Sequence, residues 1–338
     1  MQNFEFPRAS TIGLRYITLL LMISTVVLSG CSSNGKKIDF SKTSEQDLYE
    51  RAQKNLKRNE YGEAIAVLQN MEKVYPFGEY SKSAQLSLIY AHYGFQEPEA
   101  ANAAANRFIR LHPQHRHIDY AFYMKGLISF PKSKSFFQQA MRVDLSKRDI
   151  SEARVSFNHF SRLVKRFPNS EYAPDALKRM EFLRNLLARH EIHVANYYFE
   201  RKAYLAAANR GRYVVENFQR TPAVPDALAV MAQGYHNMNM HDLAQDSIDT
   251  LRKNFPDYPA LNNDGSFDFG YNTRVSSTWL DFVTLGLLGS TRPPGFNTEK
   301  RYNDNGEQTD DAQAISSEAP LKSKDKSNTT KKNGVAKD

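Results

Sequence analysis

The sequence predicts an all-α superhelical solenoid of about five helical hairpins. Three observations carry this. Small residues recur twelve apart across a polar break, as Ala52 and Ala64, Ala195 and Ala207, and Ala232 and Ala244, with Leu88 and Ala100 as a fourth pair. Proline follows an aromatic or histidine step at Tyr75-Pro76, His112-Pro113, Phe167-Pro168 and Phe255-Pro256, where a helix must stop. Alternating strand patterns are absent, and no Asn-Gly or Asp-Gly step falls within residues 45–256.

The physical reading of the first observation is a helical hairpin. One small residue on each helix lets two antiparallel helices approach closely, and larger residues (Leu56 with Leu68, Tyr235 with Ile248) close the pair. A recurrence of about 34–38 residues resembles the tetratricopeptide repeat, in which each unit packs on its neighbours and the stack supplies the core. Units are expected at about 45–77, 79–113, 117–168, 172–222 and 224–256. The third holds an insertion, because its small residues Gly126 and Ala153 lie 27 apart. In the fourth, the period Ala176, Met180, Leu183, Leu187 runs on into Ile192–Arg201 as one long helix.

The remaining segments follow in chain order. Residues 1–30 carry Arg8 and Arg15, an apolar run from Tyr16 to Leu28, and the small residues Ser29 and Gly30, the plan of a secretory signal peptide. The run is too short to span a bilayer, which takes roughly 20 residues. The chain's single cysteine, Cys31, closes Leu28-Ser29-Gly30-Cys31, which resembles the lipobox of bacterial lipoproteins. That resemblance implies acylation of Cys31 and, with Ser32 next, an outer-membrane anchor facing the periplasm. Residues 31–44 read as a tether and 45–130 as the N-terminal repeats. Residues 131–150 are the insertion, with Phe136-Phe137 and a charged stretch, and 151–256 the C-terminal repeats. Residues 257–290 read as a cap, with a turn at Asn262-Asn263-Asp264-Gly265 and an apolar patch from Trp279 to Leu288. Residues 291–338, nearly balanced in charge and poor in apolar residues, read as a disordered tail.

Composition excludes several functions. One cysteine among 338 residues rules out an internal disulfide framework and a Cys-only metal cluster. A mean hydropathy of −0.60 rules out a polytopic membrane protein. The net charge is +8 with a pI near 9.3, and the excess sits in residues 31–260. An exported chain has no nucleic acid to meet, so this surface is expected to meet acidic proteins and lipid headgroups instead. No phosphate loop and no Gly-x-Ser-x-Gly is present. His112, His115 and His117 read as a solvated loop, and His190-Glu191 lacks the zinc-hydrolase spacing. We expect no enzyme, no cofactor, no catalytic residue and no metal site. On the repeat register, the first helices of the first three units present Tyr49, Gln85, Tyr93, Tyr120, Tyr123 and Phe130 on the concave face. Such aromatic and polar tips suit an extended peptide.

Longer runs carry a more specific resemblance. Val74-Tyr75-Pro76-Phe77-Gly78-Glu79-Tyr80-Ser81, Asn106-Arg107-Phe108-Ile109-Arg110-Leu111-His112-Pro113, Ile118 to Leu127 and Phe167 to Tyr172 resemble the BamD family, lipoproteins of the β-barrel assembly machinery. The resemblance covers about residues 31–256. It implies a scaffold that binds the periplasmic POTRA domains of BamA and works beside other Bam lipoproteins. It also implies that the N-terminal repeats receive the C-terminal strand of unfolded outer-membrane proteins. Asn209 and Arg210 match a family position that contacts BamA, and Tyr198, Glu200 and Arg201 match positions nearby. Lys202 departs from the family, which has glycine there. The alternative reading is a tetratricopeptide lipoprotein that organises cell-wall enzymes.

Overall fold

The computed structural model describes residues 42–131, 145–147, 149–273 and 295–296. The signal segment, Cys31, the insertion's Phe136-Phe137, the Trp279–Leu288 patch and most of the tail lie outside them. Among the described residues ten α-helices form five hairpins: α1 (Glu45–Lys57) with α2 (Tyr61–Val74), α3 (Ser81–Gly94) with α4 (Pro98–Leu111), α5 (Ile118–Ile128) with α6 (Ser151–Arg166), α7 (Ala173–Glu200) with α8 (Tyr204–Asn217), and α9 (Val224–Asn237) with α10 (His241–Asn254). Each helix packs on the next in the chain. The leading helices also touch across repeats, α1 to α3, α3 to α5 and α7 to α9, so the fold is a solenoid.

Local chemistry sets the helix ends. Ser44 caps α1, its hydroxyl accepting from the Asp47 amide at 3.1 Å. Pro98, Pro174 and Pro225 sit in the first turns of α4, α7 and α9, where no intrahelical donor is lost. Helices α2, α6 and α10 stop at Val74, Arg166 and Asn254, two residues before proline. Four hairpins turn through the same C-cap: Asn59, Gln96, Lys202 and Asn239 all adopt positive φ, near 60°. The following amides (Glu60, Glu97, Ala203, Met240) reach back five residues to Asn55, His92, Tyr198 and Tyr235 carbonyls at 2.9 Å. These are Schellman caps, and they satisfy carbonyls the helix leaves open.

The twelve-residue pairs lie on the buried faces of their hairpins. Ala52, Ala64, Ala195, Ala207, Ala232 and Ala244 are all buried. One pair is corrected in register: Ile89 and Ala101, both fully buried, occupy the places of Ala52 and Ala64, one position beyond Leu88, which is buried as well, and Ala100, which is half-buried. The Schellman cap fixes that register, because Ile89 precedes the end of α3 by the same interval as Ala52 precedes the end of α1. The closing pair Tyr235 and Ile248 also divides, since the two residues join separate apolar clusters. In the third hairpin Gly126 lies against the Phe160 ring, leaving no room for a Cβ, and the Ser156 hydroxyl donates to the Gly126 carbonyl at 2.8 Å.

First-turn acids tie a repeat to the segment that follows it. The Glu45 carboxylate accepts from the Glu79 and Tyr80 amides at 3.0 and 2.8 Å. Asp119 accepts from the Ser170 hydroxyl at 2.6 Å, and buried Asp226 from the Tyr258 hydroxyl at 2.8 Å. Each acid lies at a helix N-terminus, where the dipole favours negative charge. Beyond α10 the chain forms a strap, residues 257–273. It reverses through an antiparallel bridge between Leu261 and Phe267, with Gly265 at φ +80. Tyr258, Ala260 and Phe267 bury this strap on the last repeat.

Candidate partner-binding face

The residues singled out near the C-terminal repeats converge at the junction of α7 and α8. The Schellman cap at Lys202 folds α8 back along the last two turns of α7. Arg210 Nη1 then donates to Glu191 Oε2 at 2.8 Å. The Glu191 side chain is 4% exposed and that of Arg210 41% exposed. The guanidinium also lies over the Tyr198 ring, 5.8 Å from its centroid. The hydrogen bond to Glu191 holds the Arg210 pKa above its ordinary value. Arg210 is therefore anchored by a carboxylate of its own chain, an arrangement the sequence reading lacked. The outer edge of the guanidinium stays open to solvent. Asn209, Glu200 and Arg201 are exposed beside it, and Arg201 covers the Tyr197 ring at 5.1 Å. Lys202 takes the glycine-like conformation at φ 57, so the turn keeps its shape without glycine.

Small residues hold α8 in place. A Cβ on Gly211 would stand 2.6 Å from the Ala227 carbonyl oxygen, and one on Gly234 3.0 Å from the Ala208 Cβ. The backbones of α8 and α9 thus nearly touch. Leu205 and Tyr213 remain exposed on the outward side of α8.

The concave-face residues divide. Tyr49, Gln85 and Tyr93 are half-buried. Tyr49 rests on the Tyr80 ring at 5.0 Å, and Gln85 Oε1 is 3.0 Å from His112 Nε2. Tyr120, Tyr123 and Phe130 do not line a surface, being 7%, 4% and 6% exposed. Helix α7 covers them: Tyr172 stacks on Tyr123 at 4.9 Å, Phe182 meets Phe130 at 5.6 Å, and the Tyr123 hydroxyl donates to Asp175 at 2.6 Å. Their assignment to an open face is corrected to core. Burial without a partner pushes the Tyr120 phenol well above its ordinary pKa.

Against this geometry, comparison with known proteins is decisive. The YfiO outer membrane lipoprotein family matches residues 41–251. The chain belongs to this family, to which the BamD proteins are its relatives. It is 38% identical over 251 residues to the outer membrane protein assembly factor BamD of Neisseria meningitidis serogroup A, a match covering 72% of this chain and 94% of that protein. The BamD of Vibrio cholerae is 32% identical over 241 residues, covering 71% of this chain and 99% of that one. The BamD of Xylella fastidiosa strain Temecula1 is 31% identical over 246 residues, covering 73% and 84%. The family match ends before the strap.

Elsewhere in this BamD-family chain the histidines make structural contacts. His112, His115 and His117 form a run of ring contacts 6.4 and 5.9 Å apart and do not converge on a point. Burial and the nearby Lys82 hold the first two below the usual histidine pKa. His190 contacts the Ser146 carbonyl at 2.6 Å. His159, half-buried beside Lys125 and Arg162, has its pKa lowered to about 4, by burial first and by the two cations next. Among the described residues no group of three acids, histidines or cysteines could hold a metal ion, and no helix is long and apolar enough to cross a membrane.

Proposed function

We propose that this chain is an outer-membrane protein assembly factor, a scaffold of the Bam complex that helps fold and insert β-barrel proteins and performs no catalysis of its own. The observation that carries the reading is a five-hairpin solenoid in a chain of this family. Its exposed α7–α8 corner keeps Tyr198, Arg210 and Asn209 together. In this reading Cys31 carries the acyl chains that hold the protein at the outer membrane, facing the periplasm, each buried CH₂ contributing about 0.8 kcal/mol. The α7–α8 corner meets a POTRA domain of BamA. Arg210, pre-positioned by Glu191, offers its outer N–H groups to a second carboxylate, and Arg201, Glu200 and Leu205 frame the contact. Other Bam lipoproteins join the assembly. Tyr49, Gln85 and Tyr93 are the residues left on the N-terminal concave face to touch an unfolded outer-membrane protein.

Capture of BamA by the tagged full-length protein tests this. Arg210→Glu sets a second carboxylate beside Glu191 and should weaken capture at least tenfold with helical content unchanged. Cys31→Ser should move the protein from the membrane to the soluble fraction. Failure of the wild-type chain to capture BamA, together with unchanged barrel levels in the outer membrane on depletion, would overturn the reading. That outcome would favour the organisation of cell-wall enzymes.

A further inference from the structure

Helix α7 and the strap together form a pocket that the scaffold reading does not use. Asn196, on α7, faces the main chain of Phe296, one hundred residues away in sequence. Its side-chain amide donates to the Phe296 carbonyl at 3.0 Å and accepts from the Phe296 amide at 2.9 Å. An asparagine that satisfies both main-chain groups of one residue copies half of a β-ladder, a mode used to recognise peptides. The Phe296 ring is fully buried. Its walls are Phe199 at 5.9 Å, Phe267 at 6.5 Å and Tyr271 at 6.0 Å, the last nearly parallel to it. The preceding residue is specified as well. Gly295 has φ +131, and a Cβ there would stand 2.7 to 2.9 Å from three atoms of the Asn196 amide.

We propose that Asn196, Phe199, Phe267 and Tyr271 form a peptide-binding pocket that reads a Gly-Phe step, and that Gly295-Phe296 is its resident ligand in cis. Each feature of the step has a matching group. The amide clamp takes the main chain, the close approach demands glycine, and the aromatic walls take the phenylalanine ring. Two walls come from the strap, which together with the resident step lies beyond the family match at residues 41–251. The pocket is therefore completed only by this chain's extension, and it stands whether or not the Bam reading does. It also adjoins the candidate partner face, since Phe199 follows Tyr198 on the last turn of α7 and meets the Tyr204 ring at 6.3 Å at the start of α8. Being part of the same chain, the resident step competes with any outside ligand, so the pocket of the intact chain is closed to weak ones.

The test uses the full chain and a fluorescent peptide of residues 291–300. Phe296→Ala empties the pocket, and this variant should bind the peptide at least tenfold more tightly than wild type does. The peptide with Gly295→Ala should lose at least tenfold, and adding Asn196→Ala to the Phe296→Ala chain should lose as much. Equal binding by wild type and variant would overturn the proposal. So would equal binding of the glycine and alanine peptides, or no binding by a variant that keeps its helical content. Loss of helical content in Phe296→Ala would also overturn it, by making Phe296 an integral part of the core.

Discussion

The two ends of the solenoid bury themselves by different means. From α1 to the first half of α7, one core is built on large side chains: Leu48, Met71, Phe108, Tyr120, Tyr123, Phe130 and Phe160, with half-buried tyrosines around them. From Ala188 onward a second core rests on small ones: Ala195, Ala207, Ala223, Ala227, Ala229 and Ala232, closed at its end by Tyr258 and Phe267, against which Phe296 is seated. The 28-residue helix α7 belongs to both, with Ala176 to Leu187 in the first core and Ala188 to Ala195 in the second. Interlocked aromatics tolerate loss poorly, whereas backbones in near contact tolerate gain poorly.

Truncation should therefore hurt the first core most. Phe160→Ala removes a ring packed on Gly126, Tyr123 and Phe130 and should cost about 3–5 kcal/mol in chemical denaturation. The second core should fail in the opposite sense. Gly211→Val drives a branched side chain onto the Ala227 carbonyl and should cost about 1–3 kcal/mol. Truncating exposed Leu205 on the same helix should cost little. If the two helices can part without a measurable loss, close backbone approach is not what holds this half.

Within the aromatic core, two tyrosines separate hydrogen bonding from burial. Tyr123→Phe forfeits a charge-assisted bond to Asp175 and should cost about 1.5–3 kcal/mol. Tyr120→Phe removes a buried hydroxyl without a partner and should be neutral or stabilising. Equal losses would show that Tyr120 is satisfied in solution.

Acid should also distinguish the halves. His159 has a folded pKa of about 4 against an ordinary value of 6.5, so the unfolded chain binds the proton more readily. Its contribution is complete above about pH 6.5 and is lost as the pH falls toward 4. His159→Asn should flatten that limb of the stability profile, measured as the denaturation midpoint against pH. The smallest effect is expected at the hairpin turn of the second half. Lys202→Gly relieves a positive φ and should stabilise by about 0.5–1 kcal/mol, visible as a small rise in midpoint.

Much of this was legible in the chain. The prolines mark the ends of α2, α6 and α10, and three of the four small-residue pairs mark their hairpins, because both signals act within a single unit. The Leu88–Ala100 pair slipped by one, since α4 offers Ala100, Ala101, Ala103, Ala104 and Ala105 in succession and composition alone does not choose among them. Tyr120, Tyr123 and Phe130 were recognisable as one apolar helix face. Whether that face met solvent or protein depended on α7, supplied some fifty residues later. Glu191 gave no signal as the partner of Arg210, because nothing in a buried glutamate's neighbours names a cation nineteen residues away.

The sequence by itself determined the helices, their pairing into hairpins and the all-α class, since propensity, turn chemistry and short-range spacing are local. It also isolated a single cysteine behind a signal-like segment. Only the tertiary structure decided which aromatics became core, which carboxylate positioned Arg210, and that Asn196 would clasp Phe296. Those are contacts between segments far apart in the chain. Their identity depends on the superhelical stacking of whole repeats, a geometry that no one repeat encodes.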